Sequence, residues 1–235
     1  MTLSGTNRRK PQAVTLSGFE LFKDLTGEER SAIGQMCELR DYVPGQYVVK
    51  TGDQGDHVFF LVSGRVRACA FSDTGRQVHF EDLTAGQMFG EIAVLDGGVR
   101  SSDCIVVDDA NILSISKCNF SIAMSEHPLA MQFLLKRLAT LVRQNMQKVY
   151  EFSSMGVNQR ICMELTRMAS LSPNPDLPIE IENAPTHAEI ATRVNAHREG
   201  VTRELKRLER EEIIVWQRKR HAIIDLVQLT DRASV

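Results

Sequence analysis

The chain has 235 residues, 43% of them hydrophobic and 25% charged, with 15 Gly and 7 Pro. That length allows two domains or one large one, and that composition excludes the disordered, collagen-like and small disulfide-stapled classes. The 28 basic and 30 acidic residues leave a net charge of −2, which by itself selects no class of partner. Charged residues interrupt every apolar stretch well short of a membrane span, and no compact apolar segment follows Arg8-Arg9-Lys10, so the expectation is a soluble cytoplasmic protein with no membrane contact. The five cysteines, Cys37, Cys69, Cys104, Cys118 and Cys162, show no Cys-x-x-Cys and no Cys-His pair at metal spacing, which predicts buried, reduced thiols and no metal site.

Residues 1–15 are polar and aperiodic and read as a loose tail. From Leu16 to Cys37, Leu21, Phe22, Leu25, Ile33 and Met36 fall near helical spacing, and Thr26-x-x-Glu29 is a capping box that starts a helix. The texture then changes to short runs rich in Val, Ile and Phe: Tyr47 to Val49, Val58 to Val62, Val66 to Phe71, Gln77 to Phe80, Cys104 to Val107 and Ile112 to Ile115. Gly45, Gly52, Gly55, Gly64, Gly75 and Gly86 punctuate these strands at turn-like intervals, the mark of an antiparallel roll rather than of βαβ units.

After Pro128 the period becomes helical through Phe152. Met131, Leu135, Leu138, Val142, Val149 and Phe152 form a heptad seam in which Asn145 fills the one missing apolar position. Such a seam is buried most simply against its twin in a homodimer; the alternative is a helix packed on its own domain. Gly156 marks a hinge, Val157 to Leu171 a further amphipathic helix, and Ser172 to Pro178 a Pro-rich connection. From Pro185 on, a smaller α-rich segment closes in a hairpin, Ile213 to Trp216 and Ala222 to Leu226. Within it, Arg193 to Arg220 carries 9 basic and 5 acidic residues, compatible with nucleic acid or with a solvated helix face.

Between two strands lies Phe89-Gly90-Glu91-Ile92-Ala93-Val94-Leu95-Asp96-Gly97-Gly98-Val99-Arg100-Ser101-Ser102. Gly90 permits close backbone approach, a turn from Ile92 to Leu95 can present N–H groups, and Arg100 offers a planar fork to phosphate oxygens. Glu91 suits a sugar hydroxyl. The segment reads as an anion cradle or, equally, as a surface loop with a Glu91–Arg100 ion pair.

Farther along, Thr186 to Leu205 has helix-turn-helix spacing: Thr186-x-x-Glu189 caps the first helix, Ile190, Ala191, Val194, Val201 and Leu205 form the internal face, and Asn195 takes the turn. Arg198, Glu199 and Arg203 then share one outward sector of the second helix, with side chains able to read guanine and cytosine edges or, alternatively, to make a surface helix with an i,i+4 Glu199–Arg203 pair. His187, Thr202, Lys206 and Arg207 are candidate phosphate neighbours or solvated-face residues, and Gly200 costs that helix about 1 kcal/mol relative to Ala.

The run Phe-Gly-Glu-Ile-Ala-Val-Leu-Asp-Gly-Gly-x-Arg-Ser resembles the phosphate-binding cassette of cyclic-nucleotide-binding domains, and the chain from about 18 to 226 resembles the cyclic AMP receptor protein/FNR superfamily of bacterial transcription regulators. The resemblance implies an α+β fold: a cyclic-nucleotide-binding, jelly-roll-like β-roll with N-terminal helices over 1–127, a long dimerisation helix over 128–155 and a winged helix-turn-helix over 156–235. It implies that Gly90, Glu91 and the Ile92 backbone hold the ribose side and that Arg100 and Ser101 hold the cyclic phosphate. Asn145 and Met146 stand where cyclic AMP receptors carry a Thr-Ser pair facing the base. Asn145 suits an adenine edge, could equally meet guanine, and can also set the register of the seam. Arg198, Glu199 and Arg203 match the family's Arg-Glu-x-x-x-Arg and imply a TGTGA-like half-site. The iron–sulfur sensors of the superfamily need clustered N-terminal cysteines, which are missing, and nothing marks His57, His79 or Cys69 as a haem ligand. The resulting expectation is a homodimer joined through residues 131–152 that binds double-stranded DNA, responds to cyclic AMP or alternatively cyclic GMP, another ligand or none, and engages RNA polymerase. An enzyme that borrows the roll finds no catalytic constellation in this sequence.

Overall fold

The computed structural model describes residues 8–9, 16–75, 77–172, 179–182, 184–217, 220–223 and 225–234. The chain divides into two compact units, Met1–Leu141 and Val142–Val235. In the first, two 3-10 turns (Leu16–Gly18 and Glu20–Phe22) precede α1 (Gly27–Gln35), which begins with the reciprocal Thr26–Glu29 capping box read from the sequence. The turns bury Phe19 and Phe22, whose rings both lie 5.3 Å from the Phe60 ring.

An antiparallel sheet follows, built from β1 (Arg8–Arg9), β2 (Cys37–Tyr42), β3 (Tyr47–Val49), β4 (His57–Phe71), β5 (Gln77–Thr84), β6 (Met88–Phe89) and β7 (Asp103–Ser116). The path runs β1-β2-β7-β4-β5, with β3 beside β7 and β6 beside β4. Residues 8–9, expected in a loose tail, pair with Arg40 and Leu39. Strand alternation divides the interior. Val58 and Phe60 of β4 enter one core with Leu113, Ile115 and Phe120, while Phe59, Leu61 and Val66 enter another with Val106 and Ile112.

Two pairs of short runs in the sequence are each one long strand. β4 continues through Gly64 because its register against β7 shifts between Leu61 and Val66, a bulged stretch and not a turn. Gly64 adopts φ +90°, and a Cβ there would meet the Asp109 carbonyl oxygen at 2.3 Å, so only glycine fits this close strand crossing. β7 likewise carries the exposed Asp108 and Asp109 within one strand.

Helix α2 (Glu91–Asp96) lies in the cassette, and α3 (Lys117–Glu126) begins at Ser116, whose hydroxyl accepts from the Asn119 amide. Then comes α4 (Pro128–Ser154). Its first turns bury Ala130 and Leu134 in the first core, whereas Leu135, Val142 and Val149 of the seam are 60%, 57% and 67% exposed.

The second unit contains α5 (Val157–Ser170), β8 (Ile179–Glu182), α6 (His187–Arg193), α7 (Arg198–Arg210), β9 (Ile214–Gln217), β10 (Arg220–Ile223) and α8 (Leu226–Ser234). The closing hairpin is present as β9 and β10, which pair Ile214 with Ile223, and β8 adds a third antiparallel strand beside β10. Leu226, expected at the end of the hairpin, opens α8 instead. Residues 173–178 of the Pro-rich connection and Arg218-Lys219 lie outside the described residues. Ile161, Leu165, Ile190, Val201, Leu205, Leu208 and Leu229 make one core. Cys37, Cys69, Cys104 and Cys162 are buried, as read from the sequence, but Cys118 is exposed.

Candidate functional site

The cassette grows from the end of β6. Gly90 at φ +78° turns the chain into α2, so Glu91–Asp96 is a short helix where the sequence suggested a turn over Ile92 to Leu95. A Cβ on Gly90 would meet Arg100 Nη1 at 2.7 Å and Phe59 Cδ2 at 3.1 Å. Glycine is therefore what lets Arg100 come so close. The Arg100 guanidinium donates to the carbonyls of Gly90 (2.7 Å) and His57 (2.8 Å) and lies 5.3 Å from the centroid of the Phe59 ring. Burial pulls its pKa down, and Asp56 opposes that pull. Around it the backbone is pinned: Arg100 N donates to Asp53 O and Gly52 N donates to Arg100 O.

Glu91 is only 3% exposed. Its Oε1 lies 3.5 Å from Nε of Arg137 on α4, and Arg137 Nη2 donates to Met88 O at 2.9 Å and stands 3.8 Å from Glu81 Oε2. Burial raises the Glu91 pKa and the Arg137 guanidinium opposes the rise. The carboxylate thus pairs with Arg137, not with Arg100 as the surface-loop reading would have it. Sequence reasoning missed Arg137 because the seam directed attention to apolar positions; the available signal was a cation beside Leu138 on α4, the longest helix among the described residues. Of the remaining cassette residues, Ile92 and Ser101 are exposed. Asn145 and Met146 are exposed on α4 within the second compact unit.

In that second unit, Thr186 accepts from the Glu189 amide and the Glu189 carboxylate accepts from the Thr186 amide, which starts α6. Asn195 adopts φ 51°, the left-handed turn conformation expected from its sequence position. The turn is fixed from beneath by Arg160, which is 9% exposed and donates to Val194 O at 2.9 Å and Asn195 O at 3.3 Å. Arg198, Glu199 and Arg203 are exposed on α7 and line one shallow groove with Lys206. His187 is bonded to Thr202 at 2.9 Å, so these two candidate phosphate neighbours hold each other. Burial lowers the His187 pKa, with Arg198 and Lys206 adding to the effect. Among the described residues no cluster of three His, Cys, Asp or Glu could hold a metal ion, and no helix is long and apolar enough to cross a membrane.

An arginine-and-glutamate cassette on a β-roll, followed by a helix-turn-helix, joins a candidate anion cradle to a DNA-binding module. Residues 39–127 match the cyclic nucleotide-binding domain family and residues 159–232 the Crp-like helix-turn-helix domain family. The cyclic AMP receptor protein of Thermus thermophilus is 26% identical over 199 residues, 85% of this chain and 89% of the relative. In fold, a CooA mutant from Carboxydothermus hydrogenoformans superposes with a TM-score of 0.78 at 17% identity, covering 96% of this chain and 98% of that one. The c-di-GMP responsive global regulator CLP of Xanthomonas campestris gives 0.70 at 20% identity, covering 84% and 97%. The chain belongs to the cyclic AMP receptor protein/FNR superfamily. It is a Crp-like transcription regulator with a cyclic nucleotide-binding domain and a DNA-binding helix-turn-helix.

Proposed function

We propose that this regulator is a homodimer gated by cyclic AMP that reads a TGTGA-like palindrome and acts through RNA polymerase. The observation that carries the ligand reading is the juxtaposition of Arg100, anchored to the Gly90 carbonyl, with the buried Glu91 next in the chain. The guanidinium suits the cyclic phosphate and the carboxylate suits the ribose 2′-hydroxyl, with Gly90, the Ile92 backbone and Ser101 completing the cradle. The Cβ-free approach at Gly90 supports this arrangement by letting Arg100 lie against the cassette backbone.

The exposed part of the α4 seam supports dimerisation through 131–152, because Leu135, Val142 and Val149 would otherwise stay in water. Two copies related by a two-fold axis would set two recognition helices about 34 Å apart, one turn of duplex. Arg198 and Arg203 would then meet guanine and Glu199 cytosine. Asn145 and Met146 would face the base. Cyclic AMP shifts the equilibrium only by the difference between its affinities for the DNA-competent state and the other state.

Calorimetric titration of the purified chain with cyclic AMP and separately with cyclic GMP, each with and without operator duplex at fixed salt, tests the reading. Cyclic AMP binding that strengthens DNA binding by the same factor in both directions is the expected result. Heat from cyclic GMP alone would reassign the effector, and no heat from either, with DNA binding intact, would refute nucleotide gating.

A further inference from the structure

The second unit's apolar core draws its buried residues from α5 to α8 and contains none from α4. The last turns of α4 are instead tied to the helix-turn-helix body by charge. Glu151 of α4, 3% exposed, accepts from Arg167 Nη2 of α5 at 2.8 Å and from Gln147 Nε2 at 3.2 Å. The other terminal nitrogen of Arg167 reaches Glu164, itself 7% exposed. The second oxygen of Glu164 lies 3.2 Å from Nη1 of Arg193, the last residue of α6. Glu151, Arg167, Glu164 and Arg193 thus form an alternating chain of charges across three helices. Beside it, Arg160 donates to Met155 O just past α4 and stacks over the Phe152 ring at 5.6 Å, while its other nitrogens hold the helix-turn-helix turn.

Apolar packing would have been a simpler way to fasten these helices. Two buried carboxylates cost desolvation that their partners repay only in good geometry, and buried ion networks are best attested where they specify one arrangement over others. An apolar contact slides, whereas a bridged guanidinium is made or broken. None of the four charged residues belongs to the apolar core of this unit.

We propose that Glu151 and Arg167 are positioning residues for DNA recognition: the Glu151–Arg167–Glu164–Arg193 chain fixes the direction of α7 relative to the last turns of α4. None of the four needs to touch DNA. The inference rests on the homodimer reading, because direction matters only when two recognition helices must meet one duplex together.

The test uses the full chain with three duplexes: a palindrome with half-sites one helical turn apart, the same palindrome with three base pairs inserted, and a single half-site. Wild type should prefer the correct spacing. Arg167→Met should reduce that preference about tenfold or more, within the range of ordinary coupling between sites, while half-site affinity holds. Arg167→Lys, which keeps the charge, should restore most of it. If Arg167→Met does not fold, Glu151→Gln, which retains shape and loses charge, should show the same selective loss. A merely structural role would lower half-site and full-site affinity together and leave the preference untouched; that result would overturn the inference alone. A wild type indifferent to spacing would overturn the homodimer reading and this inference with it.

Discussion

Arg137→Met removes the guanidinium 3.5 Å from Glu91 Oε1 and the donor to the Met88 carbonyl, while keeping an unbranched stem against the same apolar surroundings. Stripping one member from a buried ion pair costs about 3–5 kcal/mol. The Arg137 side chain keeps 16% of its surface in water and that of Glu91 4%, which places the loss near the lower end, about 3 kcal/mol. At about 2–4 °C per kcal/mol for a unit of this size, the melting midpoint should fall by about 6–12 °C. The loss must depend on pH, and its sign follows from linkage. Burial already raises the Glu91 pKa against the opposition of Arg137, so removal of Arg137 raises it further. A carboxyl whose folded pKa exceeds its unfolded value holds its proton more tightly when folded, so it favours the fold at low pH and loses that contribution as pH rises through the folded pKa. The deficit of Arg137→Met relative to wild type should therefore be smaller at pH 5 than at pH 8, read by thermal unfolding of both proteins across that range. A deficit of equal size at every pH would refute the charge argument and leave only packing and the Met88 hydrogen bond.

Gly200 sits in α7, where an added Cβ would meet nothing within 4 Å. Gly200→Ala should therefore stabilise the second unit by about 1 kcal/mol and raise its unfolding midpoint; an unchanged or lower midpoint would show that the site is not open. Arg203→Ala should cost about 1–3 kcal/mol at one base-pair position and relax specificity there, measured by affinity for a panel of singly substituted operators. A uniform loss across the panel would make Arg203 a phosphate contact.

Local chemistry was legible in the sequence wherever one short segment settles the outcome. Both Thr-x-x-Glu capping boxes, the left-handed turn at Asn195 and the shared face of Arg198, Glu199 and Arg203 depend on neighbours within a few residues. The strands were legible as texture but not as lengths. Gly64 and Asp108-Asp109 look like turns, yet β4 and β7 run through them because the two strands cross there and bulges absorb the misfit. The short α2 and β8 gave too few residues for any period to emerge. Least legible were the polar contacts between distant segments. Arg137 meets Glu91 across 46 positions of chain, and Arg160 meets the Val194 carbonyl across 34; no spacing rule connects either pair.

The way Arg100 is held has a consequence for any anion that reaches it. Its two terminal nitrogens are steered by main-chain carbonyls and by the face of Phe59, with no carboxylate bridging to them among the described residues. A carbonyl dipole orients a guanidinium without cancelling its charge, and these two bonds occupy two of its five N–H groups. A carboxylate partner would have to be evicted before a phosphate could bind, and the phosphate would gain only the difference between two similar attractions. Here no rival has to leave. The side chain's rotational freedom was surrendered when the chain folded, so an anion bound there would not have to immobilise it.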